Sequence, residues 1–184
     1  MSTSTPARFH QHCVQYLPDQ TGILLNVGCG TGRFHENVNL KYDIWNCDKF
    51  IVDVPNFKQC DLDKPWPYQQ DQCDALISLE VIEHVENPWH FLREAKRVVK
   101  PGGTIVITTP NNQSERAKRA FQRTGSFPWF QNEHVTSQLR HITPLFDWQM
   151  KFMCQEMQLD LEFHTWTPQD DMVDDNWIFK IKVR

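Results

Sequence analysis

The chain has 184 residues, 40% of them apolar and 12% aromatic with seven tryptophans; that fills the core of one domain, and no composition shift or Gly/Ser linker argues for a second. A formal charge of −4 excludes a general nucleic-acid binder, which needs a basic face to neutralise phosphates. Six cysteines without a C-x-x-C pair read as small buried apolar residues of a reducing compartment, and the lack of an apolar leader or long apolar run predicts a cytoplasmic chain that does not span a membrane.

After a Ser/Thr-rich lead, residues 7–17 carry Phe9, Cys13, Tyr16 and Leu17 at near-helical spacing, which predicts a short helix ended by Pro18-Asp19. This helical lead, residues 1–20, packs ahead of the sheet and can cover a bound ligand. Ile23-Leu24-Leu25-Asn26-Val27 reads as a strand buried on both faces of a parallel sheet, and it runs directly into Gly28-Cys29-Gly30-Thr31-Gly32. Alternate glycines let the chain turn with positive φ and let a ligand lie against the backbone. Asp48 follows Gly28 by twenty residues at the end of a second strand, where a carboxylate can accept both hydrogen bonds of a ribose diol. Arg33 occupies the position of the third glycine in G-x-G-x-x-G, so the spacing is G-x-G-x-G. Between the two strands, residues 33–42 hold only a weak helical period, predicting a short or irregular first crossover helix.

Residues 51–55 form a turn of helix or extended chain, and residues 57–60 form a brief third strand leading to Asp61-Leu62. Pro65 and Pro67 force an extended loop before a strong fourth strand at residues 73–79. Asn87-Pro88 supplies an N-cap and a first-turn proline for a helix that buries Phe91, Leu92, Ala95, Val98 and Val99 and stops at Lys100-Pro101-Gly102-Gly103. A β-branched strand at residues 104–109 precedes a basic helix at residues 114–123. Thr143-Pro144 predicts another helix start, with Leu145, Phe146, Trp148, Met150, Phe152, Met153 and Met157 as a wide apolar face. Residues 159–166 and 177–183 read as two closing strands. The alternation predicts a doubly wound α/β fold, mostly parallel, with an antiparallel edge strand.

Several spaced motifs, taken together, resemble class I S-adenosylmethionine (SAM) dependent methyltransferases of the broad type-11 kind. They are Asn26-Val27-Gly28-Cys29-Gly30-Thr31-Gly32, Asp48, Asp61-Leu62, Cys73-Asp74-Ala75-Leu76 leading to Glu80-Val81-Ile82-Glu83-His84-Val85, and Val98-Val99-Lys100-Pro101-Gly102-Gly103. The resemblance implies a single domain over residues 1–184 with a seven-stranded Rossmann-like sheet and SAM as cofactor. It places Gly28 and Gly30 beside the methionine part, Asp48 at the ribose, Asp61 and Leu62 at the adenine, and Leu79 near the sulfonium, with Asn26, Cys29 and Lys49 also counted as cofactor-binding. Cys29 is read as chosen for size rather than reactivity.

Glu83 and His84 face either the active site or the next helix, as general base or as a structural pair. In some quinone-biosynthesis O-methyltransferases a similar Glu-x-x-Glu-His binds a divalent metal, which leaves open whether Glu80, Glu83 and His84 do so here; no metal is assigned. The resemblance places acceptor specificity in residues 110–144. His141, in His-Ile-Thr-Pro, is an acceptor-pocket candidate, with His134 a weaker one. Arg116, Lys118, Arg119 and Arg123, followed by Phe127-Pro128-Trp129-Phe130, read as a solvated helix face with core aromatics, or as a receiver for a phosphate, a carboxylate or a lipid-linked substrate, with transient membrane contact through residues 114–130.

The expected reaction is methyl transfer to oxygen or nitrogen of a small-molecule, glycan or lipid-linked acceptor. An NAD(P)-dependent reductase or epimerase would use the same glycine loop and Asp48. A non-catalytic SAM-binding partner protein is the third reading.

Overall fold

The computed structural model describes residues 7–130, 140–166 and 175–184. A seven-stranded sheet runs in the order β3-β2-β1-β4-β5-β7-β6. Its strands are β1 (Gly22–Val27), β2 (Tyr42–Asp48), β3 (Phe57–Gln59), β4 (Cys73–Leu79), β5 (Val99–Pro110), β6 (Asp160–Trp166) and β7 (Asn176–Lys182). The first five are mutually parallel, and β7 runs antiparallel to both β5 and β6 at that edge of the sheet. Its helices are α1 (Ala7–Val14), α2 (Arg33–Asn37), α3 (Pro88–Val98), α4 (Glu115–Thr124) and α5 (Asp147–Glu156), with a 3-10 turn at Ile82–His84.

Successive residues of the central strands enter opposite cores, as the period of two requires. Leu25, Val27, Leu76, Ile105 and Ile107 face the layer that holds Phe91 and Leu92 of α3 with Met150 and Met153 of α5. Leu24, Ala75, Ile77 and Val106 face Phe9 and Cys13 of α1 and Phe34 of α2. This double burial explains why β1 and β4 are mainly apolar, and each fully buried aliphatic or phenyl side chain contributes about 1.5–3 kcal/mol.

The short first crossover helix is borne out: α2 spans five residues. Asn87 caps α3 as expected, its side chain accepting from the His90 N–H at 3.0 Å with Pro88 in the first turn. Two boundaries differ from the sequence reading. Residues 99–103 join β5 instead of merely ending α3, because Val99 pairs with Cys73 before a register shift carries the strand on to Thr104. The last helix starts at Asp147 rather than Thr143. Its capping hydroxyl is used elsewhere: Thr143 Oγ1 donates to the Val85 carbonyl at 2.5 Å, while Gln149 accepts from the Phe146 N–H at 2.9 Å. Of the wide apolar face expected there, Met150 and Met153 are buried and Trp148 and Phe152 are exposed.

Candidate active site

The carboxyl ends of β1, β2, β3 and β4 meet at the point where strand order reverses, between β1 and β4, the usual place for a crevice in an open parallel sheet. The turn after β1 folds over the tip of β2, with the Gly28 and Cys29 N–H groups donating to the Cys47 carbonyl at 2.8 and 3.0 Å. Gly28 has φ +70°, and a Cβ there would lie 2.4 Å from Val81 Cγ2. Gly30 has φ +53° with open space around it. One glycine is therefore required by packing as well as by conformation, and the other leaves backbone accessible to a ligand.

Asp48 ends β2 and organises this turn. Its Oδ2 accepts from the Gly30 N–H at 2.9 Å and its Oδ1 from the Phe50 N–H at 3.0 Å. Each oxygen keeps a further lone pair for a diol. Asp61 lies beside it after β3, with Lys49 Nζ at 3.9 Å and Lys64 Nζ at 3.6 Å from its carboxylate. Leu62 is buried next to it. Cys29 is buried, and desolvation followed by the Asp48 charge pushes its thiol up to about 12, so it is a protonated, unreactive group at neutral pH. Asn26 is buried inside the sheet and donates to Asn46 Oδ1 at 3.0 Å. Leu79 sits at the end of β4.

The sequence turns sharply after Leu79. Glu80 has φ +57°, an uncommon conformation for a residue with a Cβ. It is held there by its N–H donating to Thr108 Oγ1 at 3.0 Å, by the Thr108 hydroxyl donating to its Oε1 at 2.7 Å, and by Asn176 Nδ2 donating to Oε2 at 2.7 Å. This clamp ties β4 to β5 and β7 and was invisible in the sequence, since Thr108 and Asn176 lie 28 and 96 residues away.

Beyond the clamp, the 3-10 turn carries Glu83 and His84 up to the segment around His141. Ile142 and Thr143 N–H groups both donate to the Glu83 carbonyl, at 2.9 and 3.0 Å. That stitching brings His141 Nε2 to 3.9 Å and His84 Nε2 to 4.0 Å from Glu83 Oε1. The three residues singled out as catalytic candidates therefore form one cluster. His84 Nδ1 lies 2.9 Å from the Arg140 carbonyl; a carbonyl can only accept, so Nδ1 carries the proton and Nε2 presents its lone pair toward Glu83. Burial lowers the His84 pKa, and burial followed by the His84 charge lowers His141 to about 4. Glu83 is 1% exposed, and desolvation followed by the Glu80 charge raises its carboxyl well above the ordinary range. Phe130 packs edge-on against the His141 ring at 5.4 Å.

Ser114 caps α4 by accepting from the Ala117 N–H at 3.1 Å, and Gly125 ends it at φ +74°. Arg116, Lys118, Arg119 and Arg123 are exposed, with Lys118 paired to Glu115 at 3.1 Å. Phe121, exposed, stacks on Phe127 at 4.8 Å. His134 lies outside the described residues.

Comparison with known proteins agrees with this architecture. Residues 4–152 match a family described as a methyltransferase domain. Over 57 residues the chain is 44% identical to the mitochondrial ubiquinone biosynthesis O-methyltransferase of Dictyostelium discoideum, covering 30% of this chain and 18% of that protein. Over 137 residues it is 28% identical to the human probable tRNA methyltransferase 9B, covering 68% of this chain and 29% of that protein. The chain thus spans well under half the length of these curated relatives.

Among solved structures, a chain of the complex between the Haloferax volcanii Trm112 methyltransferase activator and a putative methyltransferase superposes with a TM-score of 0.72 at 15% identity, over 95% of this chain and 89% of that one. A possible histamine N-methyltransferase of Thermotoga maritima gives 0.69 at 15% identity, over 97% and 89%. With the family match running across most of the chain, from α1 into α5, the chain belongs to the methyltransferase-domain family, whose class I members use SAM.

Proposed function

We propose that this chain binds SAM along the carboxyl edge of β1 to β4 and moves its methyl group to oxygen or nitrogen of a small-molecule, glycan or lipid-linked acceptor. The observation that supports the reading is the Gly28–Gly32 turn joined to Asp48 at the carboxyl ends of β1 and β2, with Glu83, His84 and His141 clustered after β4. The sulfonium is already activated, so the protein's work is to align acceptor, methyl and sulfur in line and to exclude water. The Gly30 turn and Asp48 hold the adenosyl side; the neutral imidazoles of His84 and His141 supply proton-accepting groups at the acceptor side. No enzyme nucleophile is required, which accords with the protonated Cys29.

A screen with methyl-labelled SAM over sugars, quinols and amines tests this reading. Label in a hydroxyl or amine acceptor supports it. SAM binding without transfer to any of them would favour the non-catalytic partner, and NAD(H) binding without SAM would favour the reductase. The exposed cations of α4, with Phe121 and Trp129 beside them, support transient contact with an anionic lipid surface; co-sedimentation with acidic vesicles that disappears in Arg119→Glu/Arg123→Glu tests it.

A further inference from the structure

We propose that Glu83, His84 and His141 form a seat for a primary ammonium group, so that the acceptor end of the site takes an amine rather than a hydroxyl. The role as acceptor rests on the methyl-transfer reading, whereas amine binding itself does not depend on SAM. Three observations converge on the seat.

The first is a set of acceptors without donors. Among the described residues, both carboxylate oxygens of Glu83, the hydroxyl of Thr109 and Nδ1 of His141 are buried with no hydrogen-bond partner. The His84 Nε2 lone pair joins them, because Nδ1–H donates to the Arg140 carbonyl and leaves Nε2 turned toward Glu83. Acceptors that face one another repel, and buried polar groups are as a rule paired. A primary ammonium satisfies such a set with three N–H donors and a positive charge, where a hydroxyl brings one donor and no charge. Burial raises the Glu83 carboxyl, and a cation within hydrogen-bond distance favours its charged form.

The second is spacing. One lone-pair atom from each of the three residues lies within 4.8 Å of the others, with Nε2 of His84 at 4.0 Å and Nε2 of His141 at 3.9 Å from Glu83 Oε1. An ammonium whose acceptors sit about 2.8 Å away along tetrahedral directions holds them about 4.6 Å apart, so shifts of less than about an ångström suffice. The third is access. Glu83 is 1% exposed, while the side chains of His141 and His84 are 15% and 27% exposed, which puts the charge at the bottom of the seat and the imidazoles at its mouth. Two residues before Glu83, Val81 packs on Gly28, in the turn assigned to SAM. The second carboxylate of the Glu80-x-x-Glu83-His84 stretch takes no part, since Thr108 and Asn176 hold it.

An ammonium nitrogen has no lone pair to accept a methyl group. Transfer of one proton to the His84 Nε2 lone pair breaks one N–H bond, forms another on the imidazole and leaves the electron pair on the amine. That pair forms the new N–C bond while the sulfur of SAM keeps the pair of the bond that breaks, and the proton leaves to water from the part-exposed His84 ring.

Methylammonium chloride is the probe, titrated into the full chain in buffer containing EDTA, with sodium chloride and methanol as controls for ionic strength and size. The readout is the thermal midpoint, which a ligand of the folded state raises. A saturable rise is expected with methylammonium alone. Glu83→Gln is expected to raise the half-saturating concentration roughly tenfold or more. His84→Ala, at a part-exposed residue, is expected to weaken the response as well and serves should Glu83→Gln lose the fold. With methyl-labelled SAM, label is expected in methylamine and not in methanol. No saturable rise, an equal rise with methanol, or a response unmoved by either variant would overturn the proposal, as would label passing to methanol in preference to methylamine. Calorimetric titration of SAM into the same chain reports on the methyl-transfer reading separately: absence of SAM binding beside an intact methylammonium response contradicts that reading and leaves the amine seat standing.

Discussion

Replacing Gly28 with alanine tests why the turn after β1 is built as it is. The added Cβ must adopt φ +70° and would sit 2.4 Å from Val81 Cγ2 and 3.1 Å from Val81 Cβ. An L-residue in the left-handed region costs about 1–2 kcal/mol, and forcing a methyl into a packed site costs about 1–3 kcal/mol more. Gly28→Ala is therefore expected to destabilise the fold by about 2–5 kcal/mol. Gly30→Ala supplies the internal control, since at φ +53° nothing lies within 4 Å of its Cβ, and only the backbone share of about 1–2 kcal/mol applies.

Urea unfolding followed by tryptophan fluorescence measures each, and the Gly28→Ala/Val81→Ala double variant closes a cycle. The two substitutions should couple favourably by about 1–3 kcal/mol, as contacting residues do. Equal losses at Gly28 and Gly30, or zero coupling to Val81, would refute the packing argument.

Glu94→Ala should cost about 2–4 kcal/mol in the same assay, because Glu94 accepts from the buried Trp66 N–H at 2.7 Å and from Arg97 at 2.6 and 2.8 Å, and an orphaned N–H pays its desolvation in full. A loss under about 0.5 kcal/mol would show the loop before β4 to be held otherwise. Burial alone would raise the Asp74 carboxyl, but Lys100 at 2.6 Å and the Ile23 N–H at 2.8 Å leave it below its ordinary value. Its stabilisation is thus present above about pH 4 and lost as pH falls through the folded value. Asp74→Asn should flatten the acid limb of stability against pH, and an unchanged limb would contradict the assignment. Cys29 should resist iodoacetamide at pH 8 in the folded chain, read by mass spectrometry; fast labelling would mean an exposed thiolate.

The central sheet was legible because buried parallel strands need predominantly apolar runs: Ile23 to Val27 and Cys73 to Leu79 declare themselves. Punctuation by Asn87-Pro88 was equally plain, since a cap and a first-turn proline act within four residues. The start of α5 was misread at Thr143 because a hydroxyl that would cap a helix locally instead bonds Val85, across 58 residues. Of the site, the glycine turn, Asp48 and the Glu83-His84 pair lie in short motifs with a physical reason for each residue type. The Glu80 clamp and the meeting of His141 with Glu83 depend on which loops the topology brings together, and no spacing encodes that. Asn26 combines the two cases. Its place in the glycine motif is plain from the sequence, and the partner of its side chain, Asn46 on the neighbouring strand, is not.

The most direct measurement is calorimetric titration of SAM into the unaltered chain and into Asp48→Ala. If Asp48 holds the ribose diol, the variant loses two hydrogen bonds to a charged group, each worth about 1.5–3 kcal/mol, and affinity should fall roughly 100-fold or more. Equal SAM affinity in the two chains would remove Asp48 from the cofactor site, and no SAM binding by the unaltered chain would contradict the account as a whole.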